Sequence, residues 1–292
     1  MTAACTAPGL RRPAARAARA GSRPSGARRR APLQFFVGVP EPGWLNRCDG
    51  VPKFVSAARF ARYRSDAHCW PVATTDPYAI DSGAYTALTS HNKSSPWWDP
   101  PEIYAAKVLR FATNSGRPPI FTAPQDVPCE PGVRRRTGMT VREHQRLTLT
   151  NYLFLAREWR WLPWAPVLQG WDAGDYRIHE RMYLDAGVDL TRAVRVGIGS
   201  ICRRGHLPQI VEVIEQFAES GYPLHAFGAR HTSLPLIGRY LSSSDSMAWS
   251  RAARWGRTRL PECTHRGDCR NCYRYATAWR RHVLSAIPDD GR

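Results

Sequence analysis

Short apolar runs alternate with longer segments of helical periodicity along most of the chain. The runs are rich in β-branched and aromatic residues and recur roughly every 25 to 45 residues, which is typical of strands in an α/β protein. Between them, apolar residues recur at three- and four-residue spacings, which predicts helices packed on a sheet. The predicted strands are Leu33–Val39, Tyr78–Ser82, Pro119–Asp126, Ala165–Gly170, Ala193–Ser200, Leu224–Ala229 and Ser244–Trp249. The predicted helices are Phe54–Tyr63, Pro101–Thr113, Val141–Trp159, Tyr176–Ala186, Leu207–Ser220 and Leu234–Leu241.

This alternation predicts an α/β fold with parallel strands. The seven βα units that can be counted favour a (β/α)8 TIM-type barrel, regular or partly open, over an open doubly wound sheet. We expect the barrel to span residues 32–258. Residues 259–292 are expected to form a zinc-binding loop and a C-terminal helix that pack on the barrel as a small subdomain.

Polar residues and glycines cluster where the predicted strands end. In barrel enzymes these ends converge on one mouth, so three carboxylates and one amide would face one cavity. Taken singly, each aspartate is equally explained as a cap of the following helix. The motifs are Asp-Ser-Gly at 81–83, Gln-Asp at 125–126, Gln-Gly at 169–170, Gly-Ile-Gly-Ser at 197–200, Phe-Gly at 227–228 and Ser-Asp-Ser at 244–246.

The charge balance indicates a polyanionic partner. Lys and Arg total 42 against 24 Asp and Glu, and a formal net charge of +18 attracts phosphates at long range. Residues 1–31 contain eight arginines and no acidic residue, which predicts a disordered basic arm or a tail that grips nucleic acid. No run of about 18 apolar residues occurs, so no membrane-spanning helix is expected.

Three of the eight cysteines crowd together near the C-terminus beside a histidine. Cys263, His265, Cys269 and Cys272 have the ligand types and the close spacing of a closed, structural Zn²⁺ site. His282 is the alternative fourth ligand, but in a helix over Tyr273–Leu284 it would lie about 15 Å from Cys272. Metal ligation, rather than a disulfide framework, predicts a reducing, cytoplasmic location.

The strand-end motifs resemble those of the tRNA-guanine transglycosylase superfamily, and more closely those of its DNA-directed branch, the DpdA deazapurine DNA modification family. Asp-Ser-Gly-Ala-Tyr at 81–85 is similar to the superfamily's Asp-Ser-Gly-Gly-Phe. Ser-Asp-Ser-Met-Ala-Trp-Ser-Arg-Ala-Ala-Arg at 244–254 is similar to its Asp-Cys-Val-Met-Pro-Thr-Arg-Asn-Ala-Arg. The segments at 123–131, 167–170 and 197–200 resemble those that line its base pocket.

The resemblance implies a DNA-guanine transglycosylase that exchanges guanine for a 7-deazaguanine base, 7-cyano-7-deazaguanine, through a covalent aspartyl-sugar intermediate. Asp245 falls on the nucleophile and Asp81 on the general acid/base. The implied contacts of the base are Asp126, Gln169, Gly197, Gly199, Ser200 and the neighbouring Tyr85. The arginines expected to hold DNA phosphates, unless they are ordinary surface residues, are Arg203, Arg204, Arg251 and Arg254.

Two alternatives stay open on the sequence. The same chemistry could act on tRNA, although the motif matches and the missing RNA-binding C-terminal extension favour DNA, with accessory DNA-modification proteins as further partners. A zinc-containing protein that binds nucleic acid without catalysis would also explain the charge. The remaining histidines, His225 among them, are interpreted as surface or core residues.

Overall fold

The computed structural model of the protein describes residues 32–62, 70–71, 75–89, 99–202, 204–205 and 207–288. The arm predicted over residues 1–31 and the predicted phosphate contact Arg203 lie outside the described residues.

Seven strands form one curled parallel sheet. The strands are β1 (Gln34–Val39), β2 (Lys53–Ser56), β3 (Tyr78–Asp81), β4 (Val167–Leu168), β5 (Val196–Ile198), β6 (Leu224–Ala226) and β7 (Ser243–Ser246). Their order is β3-β2-β1-β7-β6-β5-β4, so the first and last strands are neighbours at its centre. Because all strands are parallel, their carboxyl ends meet at one edge of the sheet.

An extended segment around Thr122 lies between the two edge strands, β3 and β4. Single bridges link Thr122 to Ile80 of β3 on one side and, on the other, to Trp164, which precedes β4 by three residues. Of the predicted strand Pro119–Asp126, only Thr122 makes strand-like bridges, because the prolines of this segment have no N–H to donate to a ladder. The α/β class and the parallel strands are confirmed, whereas a complete barrel of eight regular strands stays a prediction.

One predicted helix was wrong at its start. The segment Phe54–Tyr63 has apolar residues at helical spacing, but β2 occupies Lys53–Ser56 and a 3₁₀ helix follows over Ala57–Arg62. The reason is tertiary, because β2 is hydrogen-bonded between β1 and β3 and is buried along nearly its whole length. A strand buried on both faces does not show the alternation that identifies an exposed strand.

Helices cover the outside of the sheet. They are α1 (Ala84–Thr89), α2 (Pro101–Asn114), α3 (Pro131–Thr137), α4 (Val141–Glu158), α5 (Ala173–Asp185), α6 (Leu207–Glu215), α7 (Leu234–Ile237), α8 (Ala248–Trp255) and α9 (Tyr273–Ser285). The start of α4 is fixed by a capping box in which Thr140 and Glu143 bond each other's backbone N–H groups. None of the helices in the described part of the chain combines the length and the apolarity that crossing a membrane requires.

The inside of the curled sheet holds a small aromatic core. Phe36, Phe54 and Phe121 pack there with centroid distances of 5.9 Å between each pair of rings. This layer lies below the carboxyl ends of the strands and supports the residues that follow.

Candidate active site

A cavity of about 220 Å³ opens at the carboxyl ends of the strands. It is smaller than the roughly 300–1,000 Å³ of pockets for drug-sized ligands, so its size suits one base-sized group. Asp81, Asp126, Gln169 and Asp245 all line it, although they come from distant parts of the chain. The strand-end side chains singled out in the sequence therefore do converge in space.

Asp245 lies near the end of β7 and is almost completely buried. The backbone N–H of Gly228 donates to its Oδ1 at 2.8 Å, and Nε2 of His225 lies 3.3 Å from the same oxygen. Gly228 has a positive φ of 57°, which glycine adopts without strain and which lets its N–H face the carboxylate. Among the described residues, no hydrogen bond is made to Oδ2 of Asp245.

Asp81, the last residue of β3, has an acid-base character unlike that of an ordinary carboxyl. Burial, and then the negative charges of Asp126 and Asp245, raise its pKa to about 7, although Ser56 and the N–H of Gly83 bond it. Three carboxyl groups that share one cavity cannot all ionise easily, so one of them keeps its proton near neutral pH. Asp81 can therefore exchange a proton in the physiological range.

Asp126 and Gln169 form the centre of a hydrogen-bond chain. Gln169 Nε2 donates to Asp126 Oδ2 at 2.6 Å, and Ser82 Oγ donates to Asp126 Oδ1 at 2.9 Å. On the other side, Ser200 Oγ donates to Gln169 Oε1 at 2.6 Å. Burial raises the pKa of Asp126, while the bonds from Ser82 and Gln169 act in the opposite direction. The chain orients one carboxyl and one amide towards the same cavity.

The two predicted pocket glycines have different structural roles. A Cβ on Gly199 would lie 2.3 Å from Gln169 Nε2, so a side chain there would displace the amide. Gly197 does not line the cavity, contrary to our expectation. A Cβ on Gly197 would lie 2.3 Å from the ring of Phe227, so this glycine makes room for an aromatic ring that does line the cavity.

The aromatic and basic residues predicted to contact the substrate have different environments in the structure. Tyr85, near the start of α1, lines the cavity, and Arg251 and Arg254 are exposed on α8. Arg204 differs from the expectation of a phosphate contact, because only 3% of it is exposed. Its guanidinium donates to the carbonyl oxygens of Ser200 and Gly170 and stacks 4.5 Å from the ring of Trp171. Arg204 therefore stabilises the loops that follow β4 and β5.

A second cluster of side chains, made of three cysteines and one histidine, lies near the C-terminus. The ligand atoms of Cys263, His265, Cys269 and Cys272 all lie within 4.8 Å of one another. The two closest thiol pairs are 3.4 and 3.8 Å apart, and Cys269 Sγ lies 3.6 Å from His265 Nε2. A tetrahedral ion with bonds of about 2.3 Å to sulfur and 2.0 Å to nitrogen needs separations of about 3.5–3.8 Å. The cluster can therefore hold a metal ion, and His282, exposed on α9, is not part of it.

Several residues that line the cavity or bond its carboxylates had no role assigned from the sequence. Ser82 and Gly228 stood inside the motifs at 81–83 and 227–228, so the strand-end signal was available for both. Glu130 and Met247 also line the cavity; both stood inside the segments at 123–131 and 244–254 that carry the resemblance, but neither was singled out there. His225 was interpreted as a surface or core residue; it is core, but it reaches Asp245 from below.

Residues 32–290 match the family described as "DpdA: DeoxyPurine in DNA protein A". The match includes every strand of the sheet, the cavity residues and the cysteine cluster. No curated protein matches the chain.

Proposed function

This chain belongs to the DpdA family of deazapurine DNA modification, and from that membership we propose that it is a glycosyltransferase that exchanges guanine in DNA for a 7-deazaguanine base. The incoming base is 7-cyano-7-deazaguanine or a close relative. The observation that carries the proposal is the convergence of Asp81 and Asp245 on one base-sized cavity, with Asp126 and Gln169 beside them.

In the first half of the reaction, Asp245 attacks C1′ of the deoxyribose while the bond from C1′ to N9 of guanine breaks. A covalent aspartyl-sugar ester forms, as in retaining glycosidases. The departing base takes the proton of Asp81, whose pKa of about 7 supports a role as acid at neutral pH. In the second half, Asp81 accepts the N9 proton of the incoming base, N9 attacks C1′ and the ester bond to Asp245 breaks. Protons and bonds balance, and no ATP is consumed.

The hydrogen-bonded pair of Asp126 and Gln169 recognises the base. The carboxylate of Asp126 can accept from the ring N–H and the exocyclic amine of a guanine-type edge, and Gln169 can serve the carbonyl. Tyr85 and Phe227 supply aromatic surface against which a base can stack. Adenine presents the opposite donor pattern on that edge, so the same groups discriminate against it.

The substrate reaches this cavity as a flipped or single-stranded nucleotide, because a base stacked in a duplex cannot present C1′ to a buried carboxylate. We propose that the DNA strand approaches the cavity along α8, which begins three residues after Asp245. Arg251 and Arg254 are exposed there, and Arg251 stacks 5.1 Å from the ring of Trp255, which is 76% exposed. Arginines and an exposed indole suit phosphates and an unstacked base.

For the cysteine cluster we propose a structural Zn²⁺ ion held by Cys263, His265, Cys269 and Cys272. The fit of the ligand spacing to a tetrahedral ion and the four protein ligands support a closed site without an open position for catalysis. The cluster packs against Ala253 of α8, so the ion would hold the loop that supports the proposed strand-binding helix. Residues 32–258 and 259–292 then act as the catalytic part and its zinc-binding support.

The test is nucleoside mass spectrometry on the DNA and tRNA of cells that express the protein and are supplied with 7-cyano-7-deazaguanine. We expect a deazaguanine deoxynucleoside with the wild type and none with Asp245→Ala. Asp185→Ala, at the exposed end of α5, is the matched control and should behave as wild type. A modified ribonucleoside would move the substrate to tRNA. Full cellular function of Asp245→Ala would favour a protein that binds nucleic acid without catalysis.

A further inference from the structure

A buried row of polar groups runs beneath Asp245. Arg195 Nε donates to Ser243 Oγ at 2.8 Å, Ser243 Oγ lies 2.9 Å from His225 Nδ1, and His225 Nε2 lies 3.3 Å from Asp245 Oδ1. His225 and Ser243 are register partners on β6 and β7, and both are completely buried. The sheet itself therefore holds this row in place.

The direction of the hydrogen bonds follows from the donors available. A guanidinium has donors only, so Ser243 Oγ accepts from Arg195 and can donate its own proton to His225 Nδ1. The opposite neutral tautomer would turn a lone pair of Nε2 towards the carboxylate of Asp245, which is unfavourable. Burial holds the pKa of His225 below its usual value, although the charge of Asp245 acts in the opposite direction. A neutral imidazole that accepts at Nδ1 carries its proton on Nε2, which faces the carboxylate.

Aromatic rings pack around the imidazole of His225. Four phenylalanine rings, with centroids 4.6–6.1 Å from that of His225, enclose it. In the described part of the chain, Nε2 has no well-aligned hydrogen bond, and Oδ1 of Asp245 lies 3.3 Å from it. Hydrogen bonds in active sites are often long without substrate and tighten in the complex. The enclosing rings are those of Phe36, Phe54, Phe121 and Phe227.

We propose that His225 is a positioning residue for Asp245, in an inference that rests on the proposed transglycosylase function. Its Nε2–H and the N–H of Gly228 hold Oδ1, so that Oδ2 is the oxygen that attacks C1′. No proton moves along the row. When the incoming base displaces the ester, the same two donors stabilise the departing carboxylate, as preorganised donors do wherever charge develops.

The first arm of the test does not depend on catalysis. Nitrogen-15 chemical shifts of the histidine side chains distinguish the two neutral tautomers, and the signals of His225 are assigned by their loss in His225→Phe. We expect the proton on Nε2. A proton on Nδ1 would overturn the proposal, because Nε2 would then have nothing to donate to Asp245.

The second arm measures single-turnover formation of the covalent adduct on a guanine-containing oligodeoxynucleotide, by intact mass. His225→Phe should form the adduct about 10- to 100-fold more slowly, with the Kd for the oligonucleotide changed less than about twofold, since a hydrogen bond to a charged group is lost. His225→Gln keeps an N–H donor, so its rate of adduct formation should fall less than that of His225→Phe. The phenylalanine variant is expected to fold, because its ring would join four others of its kind.

The matched pair for this arm is Ser243→Ala against Ser244→Ala. Both hydroxyls are buried on β7, but Ser244 donates to the carbonyl of Ala226 and has no part in the row. Ser243→Ala should slow adduct formation and Ser244→Ala should not. Equal effects of the two, or a wild-type rate for a folded His225→Phe, would overturn the positioning role. If the wild type formed no adduct while the tautomer was as expected, the transglycosylase function would fail and the hydrogen bond from His225 to Asp245 would stand.

Discussion

Asp126 and Gln169, which are 43 positions apart in the sequence, are joined by a hydrogen bond of 2.6 Å from the amide Nε2 to the carboxylate Oδ2. Both are buried, and Ser82 and Ser200 bond the far sides of the pair. A polar pair with this many partners is already oriented before any ligand arrives. Preorganisation of this kind reduces the cost of binding, because few side chains remain to be ordered.

Gly199→Ala should disrupt this pair without unfolding the protein. The new methyl group would lie 2.3 Å from Gln169 Nε2, so the amide must move. We expect the KM for the incoming base to rise about tenfold or more, measured by steady-state base exchange. Gly174→Ala in α5 is the matched control, since no atom lies within 4 Å of its added Cβ. An unchanged KM in Gly199→Ala would mean that Gln169 does not contact the base.

Asp81→Asn should change stability in a pH-dependent way. The pKa of Asp81 is about 7 in the folded protein and near 3.8 in the unfolded chain, so between these values the folded state binds more protons. The stability of the wild type therefore falls as pH rises through this window. Asn does not titrate, so the free energy of unfolding of Asp81→Asn, relative to that of the wild type, should rise by up to about 4 kcal/mol between pH 4 and pH 8.

Urea unfolding at both pH values measures this difference. Asp185→Asn, on the exposed end of α5, should change the free energy of unfolding by less than about 0.5 kcal/mol at either pH. If the stability of Asp81→Asn relative to the wild type is the same at pH 4 and pH 8, Asp81 does not hold its proton near neutrality.

If the cysteine cluster binds Zn²⁺ as proposed, removing one of its ligands should release the ion and destabilise the C-terminal loop. Cys269→Ser removes a ligand that is completely buried within the cluster. We expect the bound zinc, measured by elemental mass spectrometry, to fall from about one ion per chain to near zero, with a lower Tm. Cys48→Ser is the control, because Cys48 is exposed and its hydrogen bond to Thr75 can be kept by a hydroxyl. Full metal content in Cys269→Ser would exclude this ligand set.

A buried ion pair between Lys53 of β2 and Asp76 should contribute to the acid stability of the fold. Lys53 Nζ lies 2.8 Å from Asp76 Oδ2, and both side chains are buried. Burial raises the pKa of Asp76, but the bond from Lys53 and the N–H groups of Asp49 and Gly50 outweigh it and bring the pKa to about 2. The pair therefore stabilises the fold above about pH 4, and this stability is lost as the pH falls towards 2.

Asp76→Ala should cost about 3–5 kcal/mol at pH 7, because it leaves Lys53 charged and buried. Glu158→Ala breaks the exposed pair with Arg157 and should cost less than about 1 kcal/mol. Denaturant unfolding compares the two variants. Similar small losses in both would show that water or another carboxylate, such as that of Asp49, compensates Lys53.

The arginines predicted to hold DNA phosphates should behave differently from one another in DNA-binding experiments. Arg254→Ala should weaken binding to single-stranded DNA and lower the slope of log affinity against log salt by about one. Trp255→Ala should weaken binding about tenfold with little change in that slope, because stacking is not electrostatic. Arg204→Ala should instead lower the Tm, since its guanidinium bonds the pocket loops. If a folded Arg204→Ala variant showed a reduced salt slope, Arg204 would contact a DNA phosphate after all.

Local patterns in the sequence were enough for the candidate site. Asp81, Asp126, Gln169 and Asp245 could be found because the ends of parallel strands meet at one edge, whatever the order of the strands. The cysteine cluster could be found because its four ligands lie within ten positions of one another. In both cases the relevant geometry follows from short-range rules, so one sequence suffices.

The rest depended on which distant segments pack together. β2 was missed because its partners, β1 and β3, decide that it is a strand. Arg204 was expected to hold a DNA phosphate, because nothing near it in sequence reveals the carbonyl oxygens that its guanidinium meets. His225 and Asp245 are 20 positions apart, and only the pairing of β6 with β7 brings the imidazole below the carboxylate. The sequence by itself thus determined which chemical groups stand at the strand ends. The tertiary structure decided their partners, because burial and hydrogen bonding depend on segments that no local pattern connects.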